Sequence, residues 1–268
     1  MSPRHLSAFV LCCGLLFDAC GSATPPEPHD SRLHASECTA HACTDFAGWE
    51  SDGALCKWKG ATVAITGETR DLQKDTAVGG GMIRFLDNES GEPLPLCAKA
   101  DAGGQFVIHG IPKHVALATR TDLPGGYIPI YQWNIRYDDP VTNWAGWQED
   151  FYALSKVVYD LLGFYGLDVS KGLAAAGGII VKADTKTKFS GAEATVAGLH
   201  NQTIYITSKY LPRKSGGTDG DTGAFGVLNV PTGKQTVEAI VDGKVVGTAP
   251  IHAYRNAISY TFVTTTVK

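Results

Sequence analysis

The chain is short of charge. Charged residues make up 19% of its 268 positions and the formal net charge is −4. No basic run occurs, so the electrostatic footprint of a nucleic-acid binder is missing. The apolar stretch at residues 6–17 is too short for a membrane span, which needs about 20 residues. Signatures of common catalytic sites are also absent. There is no G-x-S-x-G elbow, no H-E-x-x-H pair, no Walker loop and no G-x-G-x-x-G following a strand. The glycine-rich VGGGM at 78–82 leads into no helix, which argues against a phosphate cradle. The eight histidines are scattered without ligand spacing. An iron-dependent dioxygenase-like sandwich would need clustered Tyr and His ligands, and the scatter argues against one. No cofactor is implied.

What the chain does have is glycine, 31 residues of it, and an apolar content of 44%. Together with low charge these favour many short strands joined by tight turns. The length suffices for two domains of roughly 80–120 residues. The N-terminus reads as an export signal: Arg4 supplies a positive n-region and residues 6–17 an apolar h-region. Ala19-Cys20-Gly21 resembles the end of a bacterial lipobox, which implies lipidation of Cys20 and a membrane partner at the outer membrane or in the periplasm. The Pro-rich segment after it suits a flexible tether.

Export decides how the cysteines are read. Cys12 and Cys13 leave with the signal and Cys20 carries lipid. Cys38, Cys43, Cys56 and Cys97 remain, an even number in an oxidising compartment, which predicts two disulfides with three connectivities open. A zinc site of Cys38, His41, Cys43 and Cys56 lacks the C-x2-C knuckle spacing. A bridge from Cys97 would staple the Cys-rich segment at 38–60 to the body that follows.

From residue 61 the sequence becomes strand-like. TVAITG, GMIRFLD, PLCAKA, QFVIHGI and HVALATR are short runs rich in Val, Ile, Leu and Phe, with turn clusters between them. Apolar residues at Trp147, Phe151, Leu154, Val158, Leu161, Leu162 and Tyr165 then follow the period of an amphipathic helix. Asn143 is its candidate cap, and Gly163 or Gly166 its candidate end. Strand-like runs return from 177, including a VDGK hairpin turn at 241–244. The expected architecture is all-β: two antiparallel sandwiches with one helix between them. The expected divisions are signal 1–20, linker 21–37, Cys-rich segment 38–60, first sandwich 61–137, helical connector 138–176 and second sandwich 177–268.

One rhythm occurs twice. Gly104, Phe106 and Ile111-Pro112 reappear 119 positions later as Gly223, Phe225 and Val230-Pro231. The glycine supplies backbone freedom at a turn, the phenylalanine faces a core, and the proline ends the strand. The first copy adds Gly91-Glu92-Pro93-Leu94. With these residues, positions 61–135 resemble the carboxypeptidase regulatory-like, or transthyretin-like, β-sandwich family, and positions 177–268 resemble it more loosely. The resemblance implies an immunoglobulin-like sandwich fold and an accessory role in folding, adhesion or ligand binding. It implies no catalytic residue.

Three groups of residues stand out as candidate sites. The acid pairs Asp138-Asp139 and Glu149-Asp150 could serve glycoside hydrolysis, but a turn before Pro140 and a helix start account for them. Asp219 and Asp221 share a glycine loop and are weak calcium candidates. Tyr131, Trp133, Arg136, Tyr137 and Trp144 belong to an aromatic stretch that either binds a carbohydrate or protein ligand or fills a joint between the halves. The leading expectation is a non-catalytic binding or scaffolding module at the cell envelope. The alternative is an envelope hydrolase, acting on carbohydrate or peptide, with its site in 127–150.

Overall fold

Alternating apolar and polar residues, punctuated by glycine turns, make strand the dominant element among the described residues. The computed structural model describes residues 30–137, 150–161, 173–185, 187–209 and 211–267. A short helix α1 (Ala35–Cys38) and a hairpin of β1 (Trp49–Asp52) and β2 (Leu55–Trp58) come first. The first half follows with β3 (Thr62–Asp71), β4 (Thr76–Ala77), β5 (Met82–Asp87), β6 (Pro93–Lys99) and β7 (Gln105–Pro112). It continues with β8 (Leu117–Asp122), β9 (Tyr127–Ile128), β10 (Ile130–Ile135) and β11 (Asp150–Ser155). Helix α2 (Lys156–Leu161) leads away from it. The second half holds β12 (Ala174–Lys182), β13 (Glu193–Val196), β14 (Thr203–Ile206), β15 (Pro212–Arg213) and β16 (Ala224–Val230). It ends with β17 (Gly233–Val241), β18 (Lys244–Ala253) and β19 (Ile258–Thr265).

The all-β expectation holds, and the repeated rhythm has a structural basis. Gly104 and Gly223 both sit at positive φ, +87° and +61°, where a side chain would be strained. Phe106 and Phe225 are both buried, at 2% and 4% exposure. Pro112 ends β7 and Pro231 follows β16 directly. Pairing is duplicated as well. Phe106 lies opposite Gly67 in the β3–β7 ladder, and Phe225 lies opposite Gly178 in the β12–β16 ladder. Two steps along, Ile65 opposes Ile108 and Ala176 opposes Val227. The expectation of purely antiparallel sandwiches is corrected: the first strand of each half pairs in parallel with the last, β3 with β11 and β12 with β19, and β10 pairs in parallel with β19. The β5–β8–β10 ladders correspond to β13–β17–β18.

The sheets do not respect the division into halves. One nine-stranded sheet runs β15-β14-β16-β12-β19-β10-β8-β5-β6 through both. A five-stranded sheet of β4, β3, β11, β9 and β7 shares a core with its β6–β10 end, through Ile65, Ile83, Phe85, Leu96, Phe106 and Phe151. The three-stranded sheet β13-β17-β18 shares another core with it, through Trp133, Ile180, Val196, Phe225, Val237 and Ile251. Neighbours in one strand point to opposite faces. Phe85 and Leu117 belong to the first core, while Leu86 and Ala118 belong to the second. The two cores therefore lie on opposite faces of the shared sheet. Strand β12 accordingly is buried on both sides, as central strands are.

The expected helix over 147–165 is corrected. Residues Asp150–Ser155 form β11, parallel to β3, and α2 begins only at Lys156. Phe151 and Ala153, two apart, are both buried, and the Phe151 ring meets Phe106 edge-on at 5.3 Å. Period-two burial against a waiting sheet edge outweighs the helical spacing of the same residues. Residues 138–149, with Trp144, Asp138 and Asp139, and residues 162–172 lie outside the described residues, as does the signal segment with Cys20. The connector expected at 138–176 thus contains the last strand of the first half and the start of β12.

Two disulfides are present among the described residues, Cys38–Cys97 and Cys43–Cys56. They occupy the three thiols of the zinc alternative, with Cys97 of β6 as the fourth. Cys97 does staple the N-terminal segment to the body. Arg32 bridges Ala98, the Leu33 amide donates to the Cys97 carbonyl, and the Ser31 amide donates to the Val107 carbonyl. Residues 31–33 thereby cover the outer edge of β6, an edge otherwise open to pairing with another chain.

Candidate functional site

The features that distinguish this chain converge on β10, where the two halves join. Tyr131 and Trp133 belong to the second core, but Ile135 and Tyr137 belong to the first. Residues two apart should share a face. The β8–β10 register shifts between Gln132 and Ile135, and Asn134 there has φ of +63°. This bulge turns the strand over, so one strand serves both cores. Asparagine tolerates the left-handed backbone, and its side chain holds the bulge. Its Nδ2 donates to the Pro250 carbonyl and to Thr261 Oγ1, each at 3.0 Å. Its Oδ1 accepts from Asn88 Nδ2 at 3.0 Å, and its amide donates to Asn88 Oδ1 at 2.8 Å.

Four rings fill the joint. Tyr131 stacks on Tyr254 at 4.2 Å between centroids, and Trp133 stacks on His252 at 5.0 Å. The His252 Nε2 faces the Glu89 carbonyl at 2.8 Å; a carbonyl only accepts, so the ring carries its proton on Nε2. The Tyr254 hydroxyl donates to the Gly91 carbonyl at 3.1 Å. Gly91 opens the Gly-x-Pro-Leu turn noted in the sequence. It has φ of +77°, and a Cβ there would sit 2.3 Å from the Tyr254 hydroxyl oxygen. The turn of the first half is thus fitted against the end of β18. Burial, with the fields of Tyr131 and Glu92, pushes the Tyr254 hydroxyl up to about 12.

Beside the Trp133–His252 end lies an open cleft of about 500 Å³, lined by Asn88, Glu89, Lys234, Thr236, Pro250 and His252 among others. Beside the Tyr131 end lies a charged row. Arg120 stands over the Tyr131 ring at 5.4 Å and donates through Nε and Nη2 to Asp122 Oδ1 at 3.0 and 2.7 Å. Arg84 Nη1 donates to Asp122 Oδ2 at 2.8 Å. Desolvation opposes the charge on Arg120, but the hydrogen bond to Asp122 together with the fields of Tyr131 and Asp122 outweighs it and raises the guanidinium further. Burial pushes Tyr131 up despite the neighbouring Arg120 charge.

The candidate residues fall in different places. Tyr131 and Trp133 come together in the joint, buried at 6% and 1% exposure. Tyr137 faces the first core and is buried, which pushes its hydroxyl up. Arg136 is exposed. Asp219 caps its own loop, its Oδ1 accepting the Asp221 amide at 2.9 Å and its Oδ2 the Ser208 amide, while the Asp221 backbone carbonyl accepts from Lys188 Nζ. The Asp221 amide, against some desolvation and with the Ser208 amide helping, holds Asp219 below the usual carboxylate range. Among the described residues no three His, Cys, Asp or Glu side chains converge as a metal site. Sequence reasoning missed Arg84, Asn88, Arg120, His252 and Tyr254. Only the alternation His252-Ala253-Tyr254 offered a hint, since it puts two rings on one face of a strand.

No family model and no curated protein sequence matches the chain. Among solved structures it is similar to the shaft pilin SpaA of Lactobacillus rhamnosus GG, at 11% identity over 78% of this chain and 99% of that one, with a TM-score of 0.24. It is also similar to the Bacillus anthracis TIE protein, at 14% identity over 83% of this chain, with a TM-score of 0.25, although it spans only 40% of that chain. The streptococcal ancillary pilin matches at 11% identity over 77% of this chain and 63% of that one, with a TM-score of 0.24.

Proposed function

We propose that the chain is an exported, non-catalytic binding or scaffolding module of the cell envelope, tethered through lipidated Cys20. In this reading it consists of two β-sandwich modules of the carboxypeptidase regulatory-like (transthyretin-like) type, the first extending through β11. The observation that carries the reading is the way the chain leaves its tether. Residues 31–33 lie along β6 and are locked there by the Cys38–Cys97 disulfide. A bridge of this kind persists in oxidising compartments, and it fixes the N-terminal segment to the body. The filled joint and the shared sheet support a body whose halves move together, which suits presenting a surface at the envelope.

The test is fractionation of cells expressing the wild type and Cys20→Ala. Wild type is expected in the membrane fraction with its four downstream thiols oxidised, and the variant in the soluble exported fraction. Cytoplasmic protein with reduced thiols, or a membrane fraction unchanged by Cys20→Ala, would overturn the reading.

A further inference from the structure

We propose that the face of β5, β8 and β10 beside the joint is a binding site for a carboxylate-bearing sugar, such as a uronate within an acidic polysaccharide. The proposal deepens the envelope-binding reading by naming a ligand class, and it is tested on purified protein, independently of localisation.

The ladder registers place the residues. Arg84 lies directly opposite Cys97 on one side and Arg120 on the other, and Arg120 lies opposite Tyr131. In the next row, Met82 lies between Lys99 and Asp122. Directly opposed residues point to the same side of a sheet. Lys99, Arg84 and Arg120 therefore share one face with a single carboxylate, Asp122. Two arginines in directly opposed positions repel unless an anion lies between them. Asp122 neutralises one of the two, and Lys99 adds further positive charge. The field of Glu92 reaches Tyr254, at the far end of the row. The row is within reach of solvent: the Arg84 and Arg120 side chains are 30% and 37% exposed. A guanidinium matches a carboxylate in a planar, two-point geometry. Arg120 is also held in place from below by the Tyr131 ring and from the side by Asp122, so little of its freedom is left to lose on binding.

The backbone decides between a sugar and a peptide. Strands β5, β8 and β10 are each paired on both sides. Their amides and carbonyls are committed to the sheet, so an extended peptide has no edge to join here. Recognition must come from side-chain donors and from the half-buried Tyr254 ring beside them, since the Tyr131 ring is covered by Tyr254 and Arg120; donors beside a ring are the combination that a charged pyranose uses.

Binding of tetragalacturonate to the purified full chain would be measured by calorimetry. Its methyl ester serves as the uncharged counterpart, and a short peptide with a free C-terminal carboxylate as the competing class. Saturable binding of the acid is expected, at least tenfold weaker for the ester, weakening as NaCl rises. Arg84→Gln and Arg120→Gln should each weaken it about tenfold, with the fold of each variant confirmed by circular dichroism. Lys99→Gln, an exposed position, should weaken it by a smaller factor and provides the reading if an arginine variant fails to fold. No binding of the acid, equal binding of the ester, equal or tighter binding of the peptide, or affinity indifferent to Arg84→Gln and Lys99→Gln would overturn the proposal.

Discussion

The two halves share a pairing plan but differ in how their edges are finished. In the first half β6 pairs with β5; in the second, the corresponding β14 pairs with β16 instead. The first half is stapled by the Cys38–Cys97 disulfide to an N-terminal segment that carries its own bridge, Cys43–Cys56, and no cysteine among the described residues lies in the second half. The second half instead places its central strand β12 between β16 and β19, buried on both faces. The lesson is that one strand plan can be stabilised by cross-links where an N-terminal segment must be tied down, and by double-sided burial where it need not.

This comparison can be broken most sharply at its repeated ring. Phe106→Ala and Phe225→Ala should each cost about 3–5 kcal/mol by urea denaturation, as large buried aromatics do. A loss under about 1 kcal/mol at either position would mean the two phenylalanines are not equivalent interior anchors. Next comes the staple. Replacing Cys38 and Cys97 together by Ser opens a loop of sequence separation 59, and the chain-entropy estimate is about 4 kcal/mol. Hydrogen exchange should show the loss of protection in the strands of the first half and little in β12–β19. Uniform loss across both halves would show that they unfold as one unit.

A smaller effect is expected at Asp71, buried at 1% exposure at the end of β3. Its carboxylate accepts the amides of Gln73 and Lys74 and the Tyr127 hydroxyl. Desolvation raises its pKa, but these donors, with the charge of Lys74, outweigh it and hold the group below its ordinary value. A depressed carboxylate stabilises the fold above its unfolded value and loses that contribution as pH falls through the folded one. Asp71→Asn should cost about 1.5–3 kcal/mol at pH 7 and should flatten the acid side of the stability profile below about pH 4. The smallest effect is at the joint. Tyr254→Phe removes the bond to Gly91, at about 1 kcal/mol. Because the folded Tyr254 is raised to about 12, stability from this group is full below the unfolded value near 10. It falls between there and pH 12. The variant should lose less stability over that window than the wild type in pH-dependent thermal melts.

Much of this architecture was legible residue by residue. Gly104 and Gly223 announced turns, Phe106 and Phe225 announced interior positions, and the four late cysteines announced two bridges, because turn geometry and thiol chemistry act over a few residues. The helix expected across 147–165 misled because Phe151 and Ala153 satisfy a strand as well as Phe151 and Leu154 satisfy a helix. Only the free edge of β3 chose between them. Joint residues such as Asn134, His252 and Tyr254 were illegible for a different reason: their partners stand 46 to 163 positions away. No local pattern reports such a contact.

The amino-acid order alone determined that this chain is all-β and that one turn–strand–turn unit occurs twice, since these follow from periodicity and backbone freedom within short windows. It did not determine that the halves share a nine-stranded sheet, that their cores sit on opposite faces of it, or that two arginines meet across β5 and β8. Those were decided by tertiary pairing. A strand's register and its neighbours are chosen by which edges and apolar faces the rest of the chain leaves uncovered, and that is a property of the assembled molecule.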